Sequence, residues 1–274
     1  MTMRSRRLIG QLVRHLLLTV GAMVILLPFA VMLQTAFSTT GTTVHMGLSG
    51  LTVANFTKVW AQQPWLRLYA NTAVMTALIF VGQVALGLPA GFALARREFA
   101  GKKVATLLVM ACLVVPAQVI ALPNYVLLAR LGWTDSLAAL VVPFTGSAFA
   151  VFLFRQFALT LPQSLFDAAR LDGVGPIALV WRVALPNMRP ALVALGVFSV
   201  VSHWNDLFWP SVMLQTDRAA TVPYAIATYA TTETFSDYGV QMAAATLAVL
   251  PLLLAFLVTQ RQFVRGIAVA VNND

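Results

Sequence analysis

The chain has 274 residues, 59% of them hydrophobic and only 10% charged, and carries a net charge of +9. Soluble domains run near roughly 25% charged and 45–50% apolar, so an ordinary water-soluble core is excluded and the bilayer is the expected solvent. The basic residues sit scattered at the ends of apolar runs, which points to membrane orientation rather than to nucleic acid.

Taken in order, the chain opens with Arg4, Arg6, Arg7 and Arg14, then an apolar run from Leu16 to Ala36. That run exceeds the roughly 7–15 apolar residues of a cleavable leader, so it reads as a retained first span. A bilayer core of about 30 Å needs roughly 20 helical residues. Six segments meet that length: 16–36, 69–95, 104–128, 137–157, 190–213 and 241–258. Pro116 and Pro123 interrupt the third and predict a kink. No repeat, low-complexity tract or soluble-domain boundary interrupts residues 1–274, so one all-α, polytopic transmembrane domain is expected.

Charge sets the orientation. With the N-terminus inside, fourteen Lys and Arg residues fall on the cytoplasmic side: Arg4, Arg6, Arg7, Arg14, Arg96, Arg97, Lys102, Lys103, Arg155, Arg170, Arg182, Arg189, Arg261 and Arg265. Four, Lys58, Arg67, Arg130 and Arg218, fall outside. This bias predicts a cell-membrane protein with both termini in the cytoplasm. Trp60, Trp65, Trp133 and Trp209 lie near expected outer span ends, as an aromatic belt requires. The outer loop 38–68 is polar, with an amphipathic piece near Val53 to Trp60. The outer loop 215–240 is rich in Thr and carries Asp217, Glu233 and Asp237.

The longest polar interruption is TLPQSLFDAARLDGVGPIALVWRVALPNMRP, Thr160 to Pro190. Pro162 suits a first helical position, and Ser164 with Asp167 makes a weak capping box. Leu165, Phe166, Ala168, Ala169 and Leu171 give this short helix an apolar side. Gly173 fits the left-handed position past its end, with Pro176 soon after. A second amphipathic piece, Ile177 to Ala184, should stop at Pro186. From spacing alone, an amphipathic linker lying on the membrane surface explains the stretch as well as a protein-docking helix does.

Asp167-Ala168-Ala169, three residues, Gly173, nine residues, Val183, one residue and Leu185-Pro186 resemble the cytoplasmic signature of ABC importer permeases, E-A-A-x3-G-x9-I-x-L-P. Asp stands for Glu and Val for Ile, keeping charge and branched bulk. The surrounding LFRQFALTLPQSLFDAARLDG is similar to the maltose-type branch of carbohydrate permeases. The resemblance implies a type I importer fold of six spans with a cytoplasmic coupling helix. It implies a second, homologous permease, two ATPase subunits and an extracytoplasmic solute-binding protein. ATP and Mg would be used by the ATPase subunits, with no cofactor on this chain. The coupling residues implied are Leu165, Phe166, Asp167, Ala168, Ala169, Arg170, Leu171, Asp172, Gly173, Leu185 and Pro186. Asp167 would reach a basic group on the ATPase, the outer loop 215–240 would meet the binding protein, and the tail QRQFVRGIAVAVNND would run along the ATPase pair.

The fifth span carries SHWNDLFWP. An acid inside a span is a candidate for substrate or proton contact. Equally, His203, Asn205 and Asp206 fall within one turn and could satisfy one another, or cap a helix broken at Pro210. A W-N-D-type segment recurs here in maltose-type permeases, which favours the structural role. Phe198, Trp204, Phe208 and Trp209 could stack on sugar rings, and Phe198, Trp204 and Phe208, with Asn205 and Asp206, are the candidate pathway residues; aromatic residues at such places also serve packing. Gly87 and Gly91 permit close helix contact.

Other chemistry finds no support. There is no Walker-type phosphate loop. His15, His45 and His203 show no metal spacing, and Cys112 alone forms no intrachain disulfide. An ion-coupled secondary transporter needs midplane acids beyond Asp206, and a membrane enzyme needs an acid cluster or a metal motif. The expected cargo is a sugar, oligosaccharide or polyol, with glycerol 3-phosphate or a related phosphodiester as the alternative.

Overall fold

Backbone groups in lipid must be satisfied within their own segment, so the apolar runs become helices. The computed structural model describes residues 3–39, 50–232 and 237–271, with side chains described over 10–39, 50–228 and 237–257. His45, Glu233 and the side chains of the tail lie outside that set. The described residues form helices: α1 (Met3–Ala36), α2 (Ala54–Gln62), α3 (Trp65–Arg96), α4 (Lys102–Val114), α5 (Ala121–Arg130), α6 (Leu137–Thr145), α7 (Ala148–Thr160) and α8 (Gln163–Leu171). These are followed by α9 (Pro176–Asn187), α10 (Arg189–Trp204), α11 (Phe208–Met213), α12 (Val222–Thr232) and α13 (Tyr238–Val271). One isolated bridge, Ser38 to Leu51, is the β-structure among them.

The expected spans hold unevenly. Four stretches are unbroken enough and apolar enough to cross a bilayer: Gly10–Ala36, Trp65–Arg96, Leu137–Thr160 and Tyr238–Leu257. The pair α9 and α10, bent by 81°, makes a fifth. The expected third span, 104–128, is two helices, α4 and α5, separated at 115–120. Pro116 thus ends a helix rather than kinking one: it lacks an N–H, and its ring clashes with the preceding turn. The fifth span starts its helical course at Pro176 and breaks at Asn205–Leu207, so 190–213 is not one rod.

The chain divides into two compact units, Met1–Pro64 with Ile226–Leu254, and Trp65–Ala225 with Ala255–Asp274. In the first unit, α1 presents an apolar window none of which is buried. The α2 helix is pinned by Asn55, whose Nδ2 donates to the carbonyls of Ala36 and Ser38, each at 2.9 Å. Asp237 caps α13 by accepting from the Val240 amide at 3.2 Å and pairs with Lys58 at 3.2 Å.

The second unit is built on α3. Gly82, Gly87 and Gly91 let α6 and α7 approach closely; a Cβ on Gly91 would stand 2.6 Å from the Val151 carbonyl oxygen. Small residues at such a seam give helices in lipid their packing contacts. Two buried clusters flank this seam. One gathers Met75 and Ile79 with Ala139, Leu140, Trp209 and Met213. The other gathers Leu88 and Phe92 with Phe154, Phe166, Leu179, Met188 and Leu195. Met75 and Phe92 are seventeen residues apart on one helix, about 25 Å at 1.5 Å per residue, so the clusters mark opposite ends of the unit.

Candidate coupling segment and pathway face

Pro162 is the residue before the first turn of α8, in extended conformation, and not its first helical residue. No side-chain cap forms there, so the Ser164–Asp167 capping box is absent. Asp167 instead accepts from Gln163 Nε2 at 3.0 Å and from Arg170 Nη1 at 3.2 Å. Its charge is thus partly answered within the helix.

The C-terminal end behaves as its sequence demands. The Gly173 amide donates to the Arg170 carbonyl and the Val174 amide to the Ala169 carbonyl, both at 3.0 Å. Those paired bonds, with Gly173 at φ +76°, are a Schellman ending. Ala169 and Val174 both enter the buried cluster of this end.

The apolar side of α8 is largely spent on its own chain. Phe166 is 1% exposed, its ring 5.4 Å edge-on from Phe92. Ala169 is buried and Leu165 packs beside it. Left facing outward are Asp167, Ala168, Arg170, Leu171 and Asp172, with Leu171 89% and Ile177 77% exposed. The exposed Leu171 at the end of α8 and the exposed Ile177 near the start of α9 thus lie beside the outward charges of Asp167, Arg170 and Asp172.

After Gly173 the chain enters α9, with Pro176 at its start. The expected second piece therefore runs on through Pro186 to Asn187 rather than stopping at it. Its middle, Leu179–Ala184, is a wide π-turn. Pro186 explains the wide turn: it offers no N–H to the turn before it. Asn187 Nδ2 donates to the Val183 carbonyl at 2.8 Å. Leu185 packs partly against the core, and Pro186 is exposed. The 81° bend follows at Met188, which is fully buried.

One side chain that the sequence ranked only as an orienting charge gathers this end. Arg96, the last residue of α3, donates from Nε to the Ala158 carbonyl at 2.9 Å and from Nη2 to the carbonyls of Leu159 and Leu161. Its Nη1 reaches Gln163 Oε1 at 3.4 Å, and its Cζ lies 5.1 Å from the centre of the Phe166 ring. The signal was the Arg at a span end; its partners, some 60–70 residues away, were not legible.

The pathway candidates separate into two groups. Phe198, Asn205 and Phe208 are exposed, Phe198 with its ring 4.4 Å from Phe149. Trp204 is buried. Asp206 Oδ1 accepts from the Trp209 amide at 3.2 Å, in the first turn of α11. Asn205 bonds back to the Val201 carbonyl at 2.8 Å, while His203 turns to Gln83, 3.3 Å away on α3. The three polar residues therefore do not satisfy one another. Gln83 was missed: it is buried, donates to the Phe144 carbonyl at 3.1 Å, and leaves its Oε1 without a partner among the described residues. Among the described residues no group of three His, Cys, Asp or Glu could hold a metal ion.

An all-helical multi-pass fold with this signature folded as an exposed helix is that of an importer permease. The family profile for the binding-protein-dependent transport system inner membrane component matches residues 87–269, and the chain belongs to that family. It is 30% identical over 233 residues to the arabinooligosaccharides transport system permease protein AraQ of Halalkalibacterium halodurans, covering 84% of this chain and 82% of the relative. It is 33% identical over 205 residues to the sn-glycerol-3-phosphate transport system permease protein UgpE of Shigella flexneri, covering 74% and 73%. A solved chain from a bacterial ABC transporter involved in import of the acidic polysaccharide alginate superposes with a TM-score of 0.79, covering 96% of this chain and 99% of that one at 23% identity. That likeness bears on the fold.

Proposed function

We propose that the chain is one of two permease subunits of an ATP-driven importer for a carbohydrate, forming half of the translocation path. Both termini and the 160–190 segment face the cytoplasm, α8 docks in a cleft of an ATPase subunit, and ATP with Mg is consumed there and not on this chain. A solute-binding protein delivers cargo from the other side, with the 215–240 loop as its contact. The observation that carries this reading is α8: a short helix anchored by Phe166 whose Asp167, Leu171 and neighbouring Ile177 are turned away from the chain's own core. Exposed aromatic and amide groups at Phe198, Asn205 and Phe208 supply stacking and hydrogen bonding suited to a neutral sugar.

The AraQ relatives support an oligosaccharide. The UgpE relatives, at 33% identity, support glycerol 3-phosphate as a second reading. The test is a reconstituted complex with the binding protein encoded beside this chain. Loaded binding protein should stimulate ATP hydrolysis, and Asp167→Lys or Gly173→Pro should uncouple it. Pro at 173 cannot adopt positive φ and removes the amide that closes α8. Binding-protein thermal shifts with an arabino-oligosaccharide, a malto-oligosaccharide and glycerol 3-phosphate decide the cargo. Uptake by the chain alone, driven by an ion gradient, overturns the reading.

A further inference from the structure

We infer that Arg96 is a positioning residue that makes α3 and the coupling helix α8 move as one body. The inference rests on the reading of α8 as the ATPase-docking lever and adds the linkage by which that lever moves a span other than its chain neighbours. A helix ends with its last carbonyls unpaired and slightly negative. Three carbonyls at the end of α7, those of Ala158, Leu159 and Leu161, converge on the Arg96 guanidinium. The same group reaches Gln163 at the start of α8 and lies over the buried ring of Phe166. Phe92, one turn earlier on α3, touches that ring as well. The α3 helix therefore grips α8 at two points a turn apart.

The grip extends to the signature acid. Gln163 accepts from Arg96 through Oε1 and donates to Asp167 through Nε2, and Asp167 in turn accepts from Arg170. A relay of four side chains thus joins α3 to the outward-facing charge of α8. Only a planar, multi-donor cation can serve carbonyls, an amide and an aromatic face together; a lysine ammonium offers the charge without the fork. Arg97, next in sequence and exposed, supplies the matched control.

The test uses the whole complex in proteoliposomes, comparing wild type, Arg96→Lys, Gln163→Leu and Arg97→Lys. The readout is the ratio of ATP hydrolysis with loaded binding protein to hydrolysis without it, alongside co-purification of the ATPase subunits. Arg96→Lys should keep its ATPase partners and lower the ratio about fivefold or more, the range of an ordinary coupling energy. Gln163→Leu should lower it by a smaller factor, and Arg97→Lys should match wild type. A wild-type ratio in an assembled Arg96→Lys complex overturns the inference. Should Arg96→Lys fail to assemble, a wild-type ratio in Gln163→Leu overturns it instead. No stimulation in the wild-type complex removes the underlying reading, and this inference with it.

Discussion

The two ends of the α3-centred unit are closed by the same device with opposite charge. At one end Arg96 collects carbonyl oxygens left over where α7 stops. At the other, Asp135 collects amides: its Oδ1 accepts from Gln215 at 3.0 Å and Thr216 at 2.8 Å, and its Oδ2 from the Thr216 hydroxyl at 2.6 Å. Asp135 sits at φ +58°, a conformation Asp tolerates better than most residues. The difference lies in what backs each clasp. Behind Arg96 stands the buried ring of Phe166. The Asp135 carboxylate has two exposed amides and the Thr216 hydroxyl as its partners, while its own amide donates to the carbonyl of the buried Met213 at 3.1 Å. The first arrangement ties α3 to α8; the second ties the turn before α6 to the residues that follow α11.

Removing the ring is the largest test of that contrast. Phe166→Ala should cost about 3–5 kcal/mol, the usual range for a fully buried aromatic. The loss should appear as early protease cleavage within 163–174 and loss of co-purifying ATPase subunits, with the spans still folded. If 163–174 stays as resistant as in wild type, the core does not hold the Arg96 clasp.

The seam beneath both ends gives a smaller effect. Gly91→Ala would put a methyl 2.6 Å from the Val151 oxygen and 2.8 Å from the Arg155 nitrogen, both backbone atoms. The helices must separate, at about 1–3 kcal/mol, read as a lower unfolding midpoint of the purified protein. At Gly87 the nearest atom is the Ala150 side chain, at 2.8 Å. Gly87→Ala should therefore be partly rescued by Ala150→Gly, whereas no side-chain change on α7 should rescue Gly91→Ala.

What the sequence disclosed follows the range of each interaction. The long apolar runs and the Gly173 ending depend on neighbours within a few turns, and both were legible. Asp206 was legible only as one of several local readings: its carboxylate reaches the Trp209 amide beside a break at 205–207, and Pro210 lies within the helix that follows. The Pro116 break was read too mildly, because a proline marks a disturbance without saying whether neighbours will bridge it. The break between Pro186 and Pro190 is legible in the sequence; the 81° size of the bend at Met188 is not. Arg96 looks like the thirteen other cations expected on the cytoplasmic side. His203 was given local partners and found Gln83, 120 residues away. Nothing in a single sequence ranks one distant partner above another.

The Asp135 clasp yields the smallest effect and the one with a pH signature. The Thr216 hydroxyl, then the Gln215 and Thr216 amides, hold the Asp135 carboxyl below its ordinary range, with Arg218 adding a weaker pull. A carboxylate with a depressed folded pKa stabilises fully above its unfolded value, near about 4, and loses that contribution as pH falls through the folded value. Protection of the Gln215 and Thr216 amides from hydrogen exchange, corrected for intrinsic rate, should be unchanged from pH 7 to about 5 and fall below about 4. Asp135→Asn keeps a residue suited to positive φ and one acceptor oxygen, so the loop should stay placed with weaker protection. In that variant the fall below pH 4 should vanish, because the titrating group is gone. A wild-type acid profile in Asp135→Asn would mean that other carboxylates close this end.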